Sequence, residues 1–226
     1  MNRFNLGLGV LAVAGAGYLG YLVLSKKTVV IPANVAVQPA DTAGFRGYFL
    51  GSADAPVEIT EYADYQCPAC AGYESVQFPD VKSRLIAAGK VRWRYRDFPL
   101  PMHPHARVAA HAAACADEQG KFWPVHDEIY AAQTVWSPKA SAVDDFRSYA
   151  EKAGVDVAKY DACMQSAKYA GRIEASRLEA MEVGAPSTPT MLIGGKLYPG
   201  GLPFDDLSKL VDSLAAASAP APASAR

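Results

Sequence analysis

Cys67 and Cys70, in the run Cys67-Pro68-Ala69-Cys70, are the residues of this 226-residue chain best suited to chemistry. Thiols at that spacing on the first turn of a helix can close a strained, exchangeable disulfide. The preceding residues predict such a turn. Val57, Ile59 and Tyr62 lie in an apolar, β-favouring run, Val57 to Ala63, and Asp64-Tyr65-Gln66 follows, so a strand gives way to a helix at the motif. Pro68 suits the first helical position, where its missing N–H has no partner and its φ is already helical. Cys67 then falls at the N-cap, where free N–H groups and the helix dipole favour its thiolate, and it is the expected nucleophile. Cys70, one turn on and deeper, is the expected resolving thiol. The same spacing is half of many zinc sites, so on spacing alone a redox and a structural reading both stand.

The elements around the motif read as α/β. The helix is expected to run irregularly toward Ala88, with Gly89 as its stop. Val91 to Tyr95 alternates apolar and charged residues as a half-buried strand does. From about Pro104 to Val183 the chain is Ala-rich with helical spacing, as in Phe122, Val125, Ile129 and in Phe146, Tyr149, Ala150, Ala153. Thr190 to Ile193 then reads as a strand, Gly194-Gly195 as a hairpin turn, Lys196 to Tyr198 as the partner strand, and Asp205 to Ala217 as a closing helix.

Half of the residues are hydrophobic and the net charge is -1, so the chain can bury a full core and lacks the basic excess of a nucleic-acid binder. Leu6 to Leu24 is an uncharged apolar and glycine-rich stretch of 19 residues, the length of a membrane-spanning helix. Residues 1–27 are therefore expected to be an N-terminal anchor, or an uncleaved signal, because the small-residue run Ala14-Gly15-Ala16 lies in mid-stretch. Gly15 to Gly20 spells a dinucleotide fingerprint but has no strand before it. The flanking charges, Arg3 before the span and Lys26 and Lys27 after it, do not fix an orientation. The cysteines favour an oxidising, extracytoplasmic side. Residues 28–50 read as a linker ending in the apolar Tyr48-Phe49-Leu50, and residues 216–226, all Ala, Ser, Pro and Arg, as a disordered tail.

With this element order, several runs carry a resemblance: Leu50-Gly51 with Ala55-Pro56-Val57, Glu61 through Cys70, Gly120-Lys121-Phe122-Trp123, and Gly184 through Thr190. The chain resembles the DsbA-like branch of thioredoxin-fold thiol-disulfide oxidoreductases, in particular membrane-tethered bacterial forms, over roughly residues 50 to 215. The resemblance implies a thioredoxin fold split into residues 51–103 and 186–215 around an inserted helical domain, 104–185. It implies a cis peptide bond before Pro189, with the Thr188 backbone beside the sulfurs and free to pair with an extended substrate. It also implies a buried carboxyl at Glu61, six residues before Cys67, that moves a proton to or from Cys70; the alternative is a surface strand glutamate. Some members of the family join the counterparts of Cys115 and Cys163 in a second, structural disulfide, the alternative here being two separate buried thiols. The family's best-known member has a histidine where this chain has Ala69, so Cys67 is expected to be less acidified than in that enzyme and the disulfide less oxidising.

Other polar residues invite other readings. His103 and His105, or His111 with Cys115 at i, i+4, could face a metal, though His103-Pro104-His105 also reads as a loop into the insert. Arg92, Arg94 and Arg96 read as a solvated strand face, and Asp64 as exposed. The expectation is a membrane-tethered, monomeric dithiol oxidase that introduces disulfides into reduced, unfolded extracytoplasmic proteins. It needs no metal or organic cofactor, and the resemblance implies reoxidation by a quinone-linked membrane partner. The alternatives are a reductase or isomerase with the same chemistry, or a non-catalytic tethered metal or structural module.

Overall fold

The computed structural model describes residues 29–218. Among these, no helix is long and apolar enough to cross a membrane. The anchor expected over residues 1–27 lies outside them.

Five strands form one sheet in the order β1-β3-β2-β4-β5: β1 Tyr48–Leu50, β2 Val57–Ala63, β3 Val91–Asp97, β4 Thr190–Ile193 and β5 Lys196–Pro199. β2 and β3 run parallel, and every other pairing is antiparallel. A parallel pair needs a crossover, and the segment from Pro68 to Ile86 supplies it. It contains α2 (Pro68–Val76), the short α3 (Phe78–Asp80) and a wide π-type turn over Val81–Ile86. The irregularity expected in this helix falls at Pro79, which has no N–H to continue the ladder.

Between β3 and β4 lies the helical part: α4 (Ala106–Asp117), α5 (Phe122–Ala131), α6 (Gln133–Trp136), α7 (Val143–Lys152), α8 (Val157–Ser166) and α9 (Ala170–Glu182). Asp156 caps α8, its side chain accepting from the N–H groups of Ala158 and Lys159. α10 (Phe204–Ser218) closes the fold and continues into the segment read as tail; the rest of that tail lies outside the described residues.

The segment read as a linker is also partly ordered. It holds one helical turn, α1 (Pro39–Thr42), and β1. Tyr48 stacks on Phe122 at 3.6 Å between ring centroids, and the Trp123 indole N–H donates to Phe49 O at 2.8 Å, so apolar burial draws β1 onto the sheet. Gly51 follows at φ +98°, and a Cβ there would lie 2.7 Å from Val91 O, so only glycine lets the chain leave β1 this close to β3.

β2 is central, and its two faces have different neighbours. Val57, Ile59 and Glu61 share one face with their β3 partners Val91, Trp93 and Tyr95. Val57, Ile59, Trp93, Phe78, Leu85, Met191, Leu207 and Val211 form the main core on that side. On the other face, Tyr62 OH donates to Glu179 of α9, as do Arg94 and Arg96. The arginine row expected to be solvated is therefore covered: Arg96 is 4% exposed, and a single carboxylate holds two guanidinium groups. Arg92, nearer the strand's start, pairs with Glu58 at 3.7 Å. The sheet's outer edge, β5, is short and carries an exposed Lys196 and a terminal Pro199.

Candidate active site

The strand-to-helix junction places Cys67 at the N-cap of α2, with extended backbone (φ -73°, ψ 122°) and Pro68 in the first turn. Its carbonyl accepts the first helical bond, from Ala71 N–H at 3.2 Å, and its own N–H donates to Asp64 O at 3.0 Å. Both thiols are free. Cys67 is 8% exposed and Cys70 fully buried, so only Cys67 can be reached from outside.

The two sulfurs differ in acidity for physical reasons. A hydrogen bond from the Cys70 thiol, with others from the Ala69 and Cys70 N–H groups, brings Cys67 down to about 5, against the cost of burial. Ala69 thus contributes through its backbone, and no side chain at that position is needed. Burial drives Cys70 the other way, assisted by the neighbouring Cys67 sulfur; the Asp64 N–H, 3.5 Å from Cys70 Sγ, opposes it weakly.

The Thr188–Pro189 peptide bond is cis. Thr188 O lies 3.4 Å from Cys67 Sγ and accepts from its S–H when that thiol is protonated, while Thr188 Oγ1 is buried without a partner. Glu61 is fully buried, and the alternative of a surface glutamate does not hold. Its Oε2 accepts from the Trp93 indole N–H at 3.1 Å, and Oε1 has no partner. Burial first, and the neighbouring Glu74 carboxyl second, hold its carboxyl well above the ordinary range and so favour its protonated form.

Several contributors have no signature in the sequence. Gln133, at the start of α6, donates from its single amide nitrogen to Tyr65 O at 2.7 Å and to Cys67 O at 2.9 Å. Gln66 Oε1 accepts from His105 N–H at 2.6 Å, and its Nε2 donates to Ser137. Two amides thus fasten the helical part to the loop carrying Cys67. Asp64, expected to be exposed, is 1% exposed because its carboxylate is fully occupied: it accepts from Gln66 N–H and Leu100 N–H, both at 2.7 Å, and meets His103 Nδ1 at 2.8 Å. Glu74 could have been found from its spacing, since it stands four residues after Cys70 on the same helical face.

Away from the dithiol, Cys115 of α4 and Cys163 of α8 form a disulfide, S–S 2.05 Å, across 48 residues. His111 Nδ1 lies 3.4 Å from Cys115 Sγ and from Met164 Sδ, and its Nε2 accepts from Tyr169 N–H. Both sulfurs of that cluster are spent on each other. The other histidine pair is split, His103 facing Asp64 and His105 Nε2 facing Lys139 O at 2.7 Å.

A family profile described as Thioredoxin matches residues 46–213. The "Probable disulfide bond formation protein D" of Bacillus anthracis is 30% identical over 169 residues, covering 72% of this chain and 76% of that protein. The chain belongs to the thioredoxin family and is related to that disulfide bond formation protein. The crystal structure of Wolbachia pipientis alpha-DsbA1 shares the fold at a TM-score of 0.67 with 20% identity, covering 75% of this chain and 91% of that one. A protein named "Na(+)/H(+) antiporter NhaA 3" from Salinispora tropica is 35% identical over 170 residues, but the match takes in 74% of this chain and only 24% of that protein. The chain thus spans about a quarter of the length of that relative.

Proposed function

We propose that the protein is a dithiol oxidase that introduces disulfides into extracytoplasmic proteins. The observation carrying this reading is the opposed acidity of the two sulfurs, with Cys67 brought down to about 5 and Cys70 pushed up. In the oxidised enzyme, a thiolate of a reduced, extended substrate attacks Cys67 Sγ. The Cys67–Cys70 bond breaks, Cys70 leaves with the electron pair, and the protonated Glu61 supplies its proton. A second substrate thiolate then attacks the substrate sulfur of the mixed disulfide, and Cys67 leaves as a thiolate. The substrate has lost two electrons and the enzyme is a dithiol. Because Cys67 remains ionised at pH 7, the reduced form is stabilised over one with an ordinary thiol. That makes the disulfide a stronger oxidant.

The Thr188–Pro189 loop sets a backbone carbonyl beside Cys67, where an extended chain can lie alongside. Reoxidation falls to a quinone-linked membrane partner. Tethering through residues 1–27, with the folded part on the periplasmic side, would raise the effective concentration of that partner for a monomeric enzyme. Equilibration with glutathione tests the direction of electron flow. A potential distinctly above about -270 mV is expected, whereas one near that value replaces the oxidase with a reductase. Thiol labelling of intact cells tests the location, and protection of the dithiol from an impermeant reagent rejects it.

A further inference from the structure

Glu74 of α2 and His126 of α5 meet where the helix carrying the dithiol packs on the helical part. His126 Nε2 lies 3.4 Å from Glu74 Oε1, and the two side chains are 0% and 5% exposed. Neither atom has a hydrogen-bond partner, a costly state for buried polar groups. Asp127, the next residue of α5, adds a carboxylate oxygen, and the three donor atoms all lie within 4.8 Å of one another. Lys82, from the turn after α3, holds both oxygens of Asp127, at 2.7 Å and 2.8 Å. Two carboxylates thus share this corner with one ammonium group.

We propose that Glu74, His126 and Asp127 form a zinc-binding site that ties α2 to α5. The spacing of the orphaned pair fits such an ion, because two donors each about 2.0–2.1 Å from a tetrahedral zinc stand about 3.4 Å apart. Asp127 becomes the third protein ligand by turning from Lys82, and water takes the fourth position. His126 is already oriented for the role. Its Nδ1 meets Tyr65 OH at 2.9 Å, so the ring proton stays on Nδ1 and the Nε2 lone pair faces Glu74. Ligating histidines are commonly held in this way through their other nitrogen.

Charge and ligand type agree with the spacing. A neutral imidazole and two carboxylates balance a dication, whereas Lys82 supplies only one of the two positive charges. The imidazole selects against calcium and magnesium, which take oxygen ligands. The ion has a way in, since the side chains of Lys82 and Asp127 are 31% and 50% exposed. The site uses neither of the histidine pairs that the sequence offered, and it leaves Cys67 and Cys70 to their own chemistry.

Zinc chloride titrated into the full chain should bind one ion per chain, with both cysteine pairs oxidised so that no thiolate competes. X-ray absorption of that complex should show nitrogen and oxygen ligands, one of them imidazole, and no sulfur. This measurement needs no variant to fold. Glu74→Gln and His126→Gln should each weaken binding by at least about tenfold, the lower end of what loss of even a supporting partner costs. Excess calcium should not displace the zinc. Lys82→Ala separates the site from an ordinary ion-pair network: it should tighten zinc binding several-fold, because the ammonium no longer competes for Asp127. Any one of five results overturns the site: no binding by the wild type, sulfur in the coordination shell, unchanged affinity in Glu74→Gln and His126→Gln, displacement by calcium, or weaker binding in Lys82→Ala.

Discussion

At the scale of single residues, the active sulfur is reached through one backbone turn. Cys67 takes its acidity from donors that converge on a helix N-cap, and the ultraviolet absorbance of its thiolate should titrate with a midpoint near 5. The same shift links redox state to stability. The folded pKa lies below the unfolded value of about 8.5, so the reduced protein gains stability that is complete above that pH and is lost as pH falls through 5. Denaturant melts of the two redox forms should therefore diverge as pH rises from 5 to 8.5, and parallel curves would reject the assignment. Cys70→Ala should leave Cys67 able to attack a disulfide but unable to expel what it has bound, so mixed disulfides accumulate on non-reducing gels. Their absence would remove Cys70 as resolver. These two cysteines were legible because spacing, proline and the strand-to-helix switch all point to the same turn. Asp64 was not, since its burial depends on His103 and Leu100, which arrive from a loop far along the chain.

At the scale of elements, the helical part and the thioredoxin part meet at hydrogen bonds as well as at apolar contacts. Gln133→Ala leaves the Tyr65 carbonyl without its amide partner, and Cys67 O with only its helical one. A loss of about 2 kcal/mol in urea unfolding is expected, together with an upward move of the Cys67 titration as its loop loosens. An unchanged titration would confine Gln133 to stability. Asp156→Ala removes the cap of α8 and should cost about 1 kcal/mol without touching the dithiol. The positions of β2, β3, β4 and α10 could be read from period and turn residues. The arginine row misled because alternating charge describes a solvated face equally well, until α9 lays Glu179 across it. β1 was hidden by its length, three residues whose pairing is decided by Phe122 and Trp123 from elsewhere in the chain.

At the scale of the whole molecule, two sulfur pairs do different work. The Cys115–Cys163 bridge closes 48 residues of the helical part, so its removal by Cys115→Ala with Cys163→Ala should lower stability by about 4 kcal/mol on the chain-entropy estimate. Peptide oxidation at 25 °C should persist, and loss of activity in a variant that remains folded would tie that bridge to the chemistry. The edge at β5 bears on how the molecule handles unfolded chains. A protein whose clients expose unpaired strands risks being recruited into their aggregates through its own sheet edge. Here that edge is four residues long, begins with an exposed lysine and ends in a proline with no N–H to offer. On the proposed function, an extended polypeptide held at Thr188 would find little purchase at this edge of the sheet.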